Sequence, residues 1–211
     1  MLARLVAPPL CWGCGAPAHR CEPLCLTCRR SLRHLGREPV VVAGLLTWAA
    51  VAYEGPAREL VRGLKFRGAI ALADAMAAPI AANAPEAILP RSDDSRAPTL
   101  VPVPLHPARH RRRGFNQAAV LAETLARRTG LPVADRLIRS GGAGSQVGRP
   151  RSLRLAAPPG RIDAQGPAPA LAVVVDDVAT TGATLSACAR ALRTAGARKV
   201  RGLAFARTPG R

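Results

Sequence analysis

Two groups of residues in this sequence could do chemistry. The first is residues 172–184, AVVVDDVATTGAT. An apolar β-branched run, Val173 to Val175, reads as a buried parallel strand. Two carboxylates, Asp176 and Asp177, stand where that strand should end. A short turn (Val178, Ala179, Thr180, Thr181, Gly182) then leads through Ala183 and Thr184 into an Ala-rich stretch of helical period. Ligands of open α/β sheets bind at this carboxyl edge. The turn sets backbone N–H groups and three threonine hydroxyls at a helix N-terminus, which suits a phosphate dianion. The acids would repel that phosphate. They are better placed to accept hydrogen bonds from a pair of neighbouring hydroxyls, such as those of a ribose. A nucleotide P-loop is excluded, because Gly-Lys-Ser/Thr is missing.

The second group lies near the N-terminus. Cys11-x2-Cys14 is followed ten residues on by Cys25-x2-Cys28, a spacing that reads as a Cys₄ zinc site. Gly13 and Gly15 permit the tight turn that lets both sulfurs of the first knuckle face one ion. Arg20, Arg29 and Arg30 could screen the net negative charge of four thiolates on Zn²⁺. Cys21 and His19 lie between the knuckles, so either could replace a nominal ligand. With every position filled by protein, such a zinc is structural rather than catalytic. Reduced structural thiols or a redox CxxC are the alternatives, although redox chemistry usually uses one CxxC beside a βαβ unit.

The elements that must position these residues follow from periodicity. Residues 45–53 have strand-like content. Pro56 opens a helix with Leu60, Val61 and Leu64 inward and Gly68 as its stop. A second Ala-rich helix covers 70–84, and 83–98 is a surface loop. Residues 100–103 form a short strand, and prolines 102, 104 and 107 force an extended exit. Asn116 caps a helix over 117–129 that Gly130 and Pro132 end. The basic cluster Arg109 to Arg113 precedes that cap. Cations at a helix's positive end are unfavourable unless an anion joins them, which hints at a pyrophosphate site, with a solvated basic turn as the equal alternative. Residues 139–169 are Gly/Pro-rich, basic and aperiodic, and read as a long loop. Leu185, Cys188 and Leu192 share one helix face, which makes Cys188 a small core residue. A final strand covers 200–205.

Composition bounds the rest. The 211 residues can bury a good core, and 48% hydrophobic content marks a globular chain. Aromatics at 3% argue against stacking platforms for single-stranded nucleic acid. The net charge of +18 comes almost wholly from arginine, since lysine occurs only at 65 and 199. A GC-rich coding bias would give that skew without a partner, but the charge still attracts phosphates. No apolar run approaches a membrane span. The N-terminal MLARLVAPPLCWGCG lacks a signal h-region, so a cytoplasmic location is expected, where paired cysteines more often bind metal than form disulfides.

Residues 172–184 resemble the phosphoribosyl pyrophosphate (PRPP) signature of the type I phosphoribosyltransferases. With the cysteine knuckles, YEGPARELVRGLKFRG (53–68), VPVPLHPARHRRRGFNQ (101–117) and that motif in this order, the chain resembles the ComF family (competence protein F, GntX-like). The resemblance implies an α/β fold, with a type I phosphoribosyltransferase-like parallel sheet flanked by helices over 39–211. A small zinc ribbon over 1–38 would precede it. It implies that Asp176 and Asp177 hold the ribose 2′ and 3′ hydroxyls and act in catalysis. Val178 to Thr184 would complete the PRPP site, with 179–184 cradling the 5′-phosphate. Pro102, Val103 and Pro104, with Arg113, Asn116, Gln117 and Arg139, would lie on the pyrophosphate side. Mg²⁺ would accompany PRPP. Relatives carry Arg, Gln and Arg in a hood over the site, matched here by Arg139, Gln146 and Arg154. The Asn and aromatic that follow in relatives are replaced by Ala-Pro-Pro. Two functions follow: a glycosyltransferase moving phosphoribosyl to an acceptor, or an accessory protein of DNA uptake that binds DNA or a helicase-like partner. Either would bind PRPP or another ribose 5-phosphate ligand.

Overall fold

The run 172–175 is apolar throughout because it is covered on both faces. The computed structural model describes residues 9–19, 22–90, 97–140 and 161–209. Its main sheet has the order β1-β2-β7-β6-β3, built from Val40–Val42, Leu45–Ala52, Lys199–Arg207, Leu171–Ala179 and Thr99–Pro102 respectively. All neighbours run parallel except β1, which pairs antiparallel with β2 at the edge. Successive strand residues point to opposite faces. Val173 and Val175 accordingly join Leu60, Met76 and Leu121 on one side, while Ala172 and Val174 join Leu185, Cys188 and Leu192 on the other. The first side is covered by α2 (Gly55–Arg67), α3 (Leu72–Asn83) and α5 (Gln117–Thr129). The second is covered by α6 (Ala183–Thr194). The chain is thus α/β, with a mostly parallel sheet flanked by helices.

Strand β6 outlasts the apolar run that marks it in the sequence. Its pairing with β3 ends at Pro102 opposite Val175. Its pairing with β7 continues to Ala179 opposite Arg207. Asp176 and Asp177 therefore sit inside a strand whose neighbour on one side has already stopped, and that missing neighbour leaves the space for a site.

Five short elements escape the sequence patterns, the edge strand β1 among them. Helix α1 (Leu26–Arg30) carries Cys28. Strands β4 (Leu137–Arg139) and β5 (Ile162–Ala164) pair antiparallel, so the ends of the aperiodic stretch are ordered by each other and not by their own periodicity. Helix α4 (Pro107–Arg113) follows the exit from β3, which is still extended at His106. It changes the electrostatic reading of the basic cluster. His110 and Arg111 to Arg113 lie in its last turn, closed by Gly114 in the left-handed conformation. There the helix dipole favours cations, so no bound anion is needed to explain them.

Candidate functional site

The four cysteines meet in space. The Sγ atoms of Cys11, Cys14, Cys25 and Cys28 all lie within 4.8 Å of one another, and Cys14 and Cys25 are 3.7 Å apart. A tetrahedral ion with sulfur at about 2.3 Å needs sulfurs about 3.8 Å apart, so the donor set fits zinc. Backbone N–H groups of Gly13 and Cys25 donate to the sulfur of Cys11 at 3.3 and 3.2 Å. Desolvation works against ionisation of Cys11, but the amides of Cys25, Cys14 and Gly13 outweigh it and bring the thiol down to about 6. Burial pushes Cys28 up, and the three neighbouring thiols add to this. His19 is not among the four, and Cys21 falls outside the described residues. A Cβ on Gly13 would lie 2.9 Å from the sulfur of Cys28, so the knuckle closes only around glycine.

The cysteine lobe is anchored on α2. Trp12 packs where a Cβ on Gly63 would stand, at 2.8 Å from its ring carbons. The guanidinium of Arg67 lies over the same ring at 5.6 Å.

At the carboxyl end of β6, Asp176, Asp177, Val178, Thr180 and Thr184 line a cleft of about 260 Å³. Val103, Pro104, Gln117 and Arg139 line it too, as do Tyr53, Lys65, Leu105 and Arg109. Pro102, Arg113 and Asn116 stand one layer back. Asn116 accepts from the N–H of Ala118 at 3.1 Å and donates to the carbonyl of Val103 at 3.0 Å, so one side chain caps α5 and pins the loop after β3. Arg113 donates to Gln117 at 2.9 Å and stacks on Phe66 at 5.0 Å. Ala179, Thr181, Gly182 and Ala183 shape the loop without lining the cleft. Gly182 has a φ of 73° and packs against Val42 of β1, so a side chain there is both strained and blocked. It offers α6 no side-chain cap. The Thr181 hydroxyl meets the N–H of Ala183 at 3.4 Å, and Thr180, Thr181 and Ala183 are exposed. The start of the helix is open to an anion.

The two acids differ. Asp176 is half-buried and folds back to accept the N–H of Asp177 at 2.8 Å. Desolvation, then the charge of Asp177, pushes its carboxyl well above the usual range, against the pull of Lys65. Asp177 is buried, and its Oδ1 is 2.9 Å from Nζ of Lys65. Oδ2 of Asp177 and Nε of Arg139 are buried without a hydrogen-bond partner among the described residues. Gln146 and Arg154 lie outside those residues.

Some structural likenesses accompany this geometry. The chain is similar to an allosteric regulatory enzyme of purine biosynthesis, at 21% identity and TM-score 0.37, over 63% of this chain and 26% of that one. It is similar to glutamine PRPP amidotransferase from B. subtilis at 20% identity and TM-score 0.38, over 62% of this chain and 25% of that one. Adenine phosphoribosyltransferase from Rhodothermus marinus overlaps at 18% identity and TM-score 0.37, over 85% of this chain and 82% of that one. The chain thus spans about a quarter of the length of the first two enzymes. No family model matches the sequence, and no curated protein matches it.

Sequence reasoning missed Tyr53 and Lys65 as site residues. Lys65 belongs to a helix recognised for its inward leucines, and a lysine one turn from a glycine stop carries no signal of its own. Cys188 is fully buried, and burial, with Asp176 behind it, pushes its thiol up to about 12, in keeping with a core residue.

Proposed function

We propose that this protein binds PRPP, or a related ribose 5-phosphate, at the carboxyl end of β6. The observation that carries the reading is the convergence on one cleft of an acid pair, two threonines from the turn into α6, and the cations Lys65, Arg109 and Arg139. The open start of α6 and the turn hydroxyls would take the 5′-phosphate. Asp176 and Asp177 would accept the ring hydroxyls, and Arg109 and Arg139 would face the pyrophosphate. The order of motifs, which resembles ComF, supports the same assignment.

As an enzyme the protein would be a phosphoribosyltransferase. The bond from C1 to pyrophosphate breaks and a bond from C1 to an acceptor forms. Mg²⁺ brought with PRPP would neutralise the diphosphate. The chain's own part is electrostatic: acids facing the ring as it becomes cationic, arginines facing the leaving group as it becomes anionic. A zinc ion on Cys11, Cys14, Cys25 and Cys28 would be structural.

Calorimetry with PRPP and Mg²⁺, followed by pyrophosphate release with a panel of bases, tests this. Binding that disappears in Asp177→Asn supports the site, and release that disappears with it supports transfer. A protein indifferent to PRPP rules the reading out.

The second reading, an accessory role on DNA, is favoured by α4, where Arg109, His110, Arg111 and Arg112 are all exposed. Its signature is DNA binding that weakens steeply with salt, without pyrophosphate release. Among the described residues no helix is long and apolar enough to cross a membrane.

A further inference from the structure

Of 31 cationic side chains only two are lysines. Lys65 stands in the candidate cleft, opposite an acid with one oxygen unpaired among the described residues. Its ammonium reaches Oδ1 of Asp177 at 2.9 Å, and its side chain is only 21% exposed. Oδ2 of the same carboxylate is buried and has no partner among the described residues. The choice of cation matters here. A guanidinium fork matches a carboxylate with two parallel hydrogen bonds and would occupy both oxygens. An ammonium is a point charge that can hold one oxygen and leave the other free.

We infer that Lys65 is a specificity-determining residue of this cleft: it fixes Asp177 through Oδ1 so that Oδ2 accepts a ring hydroxyl of the bound sugar phosphate. The inference rests on the ribose 5-phosphate reading of the site and adds a residue to it. The last torsion of an aspartate is broad, so a small turn of the carboxylate offers Oδ2 to the cleft that Asp177 lines. Without the ammonium, Asp177 loses its ion-pair partner among the described residues, and breaking a buried pair costs far more than the pair itself contributes. The carboxylate is then free to turn away from the cleft, and the fixed, charged acceptor for the hydroxyl is lost. The threonine turn and the start of α6 do not depend on Lys65, so phosphate recognition survives.

The test compares two probes, ribose 5-phosphate and inorganic phosphate, by calorimetry on the whole chain. The wild-type protein should prefer ribose 5-phosphate by about tenfold or more, the scale of a hydrogen bond to a charged group. Lys65→Met should remove that preference while leaving phosphate affinity within about twofold. Lys65→Arg should melt like the wild type, since the charge pair is kept, and should also lose the preference. A merely structural lysine would lower both affinities together in Lys65→Met and be rescued by arginine, and that result overturns the inference. A preference retained in either variant overturns it as well, leaving the site reading intact. A wild-type protein with no preference for the sugar phosphate sinks the site reading itself, and the role of Lys65 with it. Should Lys65→Met fail to fold, Lys65→Arg alone decides.

Discussion

Trp12 of the cysteine lobe occupies the space where Gly63 of α2 would carry a Cβ. The same helix presents Lys65 to Asp177 two residues later. The cysteine lobe and the candidate cleft therefore lean on opposite sides of one helix. Buried side chains of the lobe, Cys11, Leu24 and Cys28, belong to the same core cluster as Leu60 and Leu64.

Gly63→Ala should destabilise the protein, although alanine is the better helix former. The propensity gain is about 1 kcal/mol. The added methyl would meet a ring carbon of Trp12 at 2.8 Å and a Leu72 methyl at 2.5 Å. Overpacking of that kind costs about 1–3 kcal/mol, so a net loss of roughly 1 kcal/mol is expected in chemical denaturation. A stabilised variant would show that the lobe does not pack as described.

Removing the metal should loosen the lobe and, through α2, weaken ligand binding. Zinc released by a chelator should approach one ion per chain, and the emission of Trp12 should shift to the red. Trp48 is buried in β2, with its ring N–H donated to the carbonyl of Gly36 at 2.8 Å, and should not respond. The control is Trp12→Phe, in which the shift should vanish. An unchanged spectrum in a protein that carried zinc would argue against the coupling.

Asp176 should give stability a downward slope with pH. A carboxyl raised in the folded state binds its proton more tightly there than in the unfolded chain. Stability is therefore greatest below the ordinary carboxylate range and falls as pH rises towards the elevated folded value. Asp176→Asn should remove that slope, and at neutral pH it should be as stable as the wild type or more so, while binding ribose phosphates poorly. Thermal melts between about pH 5 and about pH 8 read this directly. A variant that melts lower at neutral pH would overturn the assignment.

Asn116→Ala should cost about 1 kcal/mol for the lost helix cap. The released carbonyl of Val103 would also let the loop beside the cleft drift. Denaturation measures the first effect and PRPP affinity the second. Asn116→Asp keeps the acceptor for the Ala118 N–H but not the donor to Val103. It should therefore retain stability while losing part of the affinity.

Local pattern was enough for several elements. Helix α5 runs over 117–129 between its Asn116 cap and the left-handed Gly130, as capping chemistry dictates. Helix α2 opens with Gly55 and Pro56 and ends at Gly68 for the same kind of reason. The cysteine spacing was equally legible, because two CxxC knuckles form a self-contained ligand set. By itself, then, the sequence determined the α/β class, the longer helices, the four-sulfur cluster and the Thr-Gly turn that opens α6. These depend on interactions between residues close in the chain, or on residue types with few other uses.

Only tertiary structure decided how the acids behave. The sequence ends the strand at Asp176, whereas pairing with β7 carries β6 on to Ala179, a partnership between residues 28 positions apart in the chain, as in Asp176 opposite Ala204. That extension buries Asp177 towards α2 and leaves Asp176 bent over its own chain. The partner of Asp177, Lys65, is more than a hundred residues away in sequence, and no periodicity links them. Burial and ion pairing are set by what folds against a residue, so the charge state of this site belongs to the fold and not to the motif.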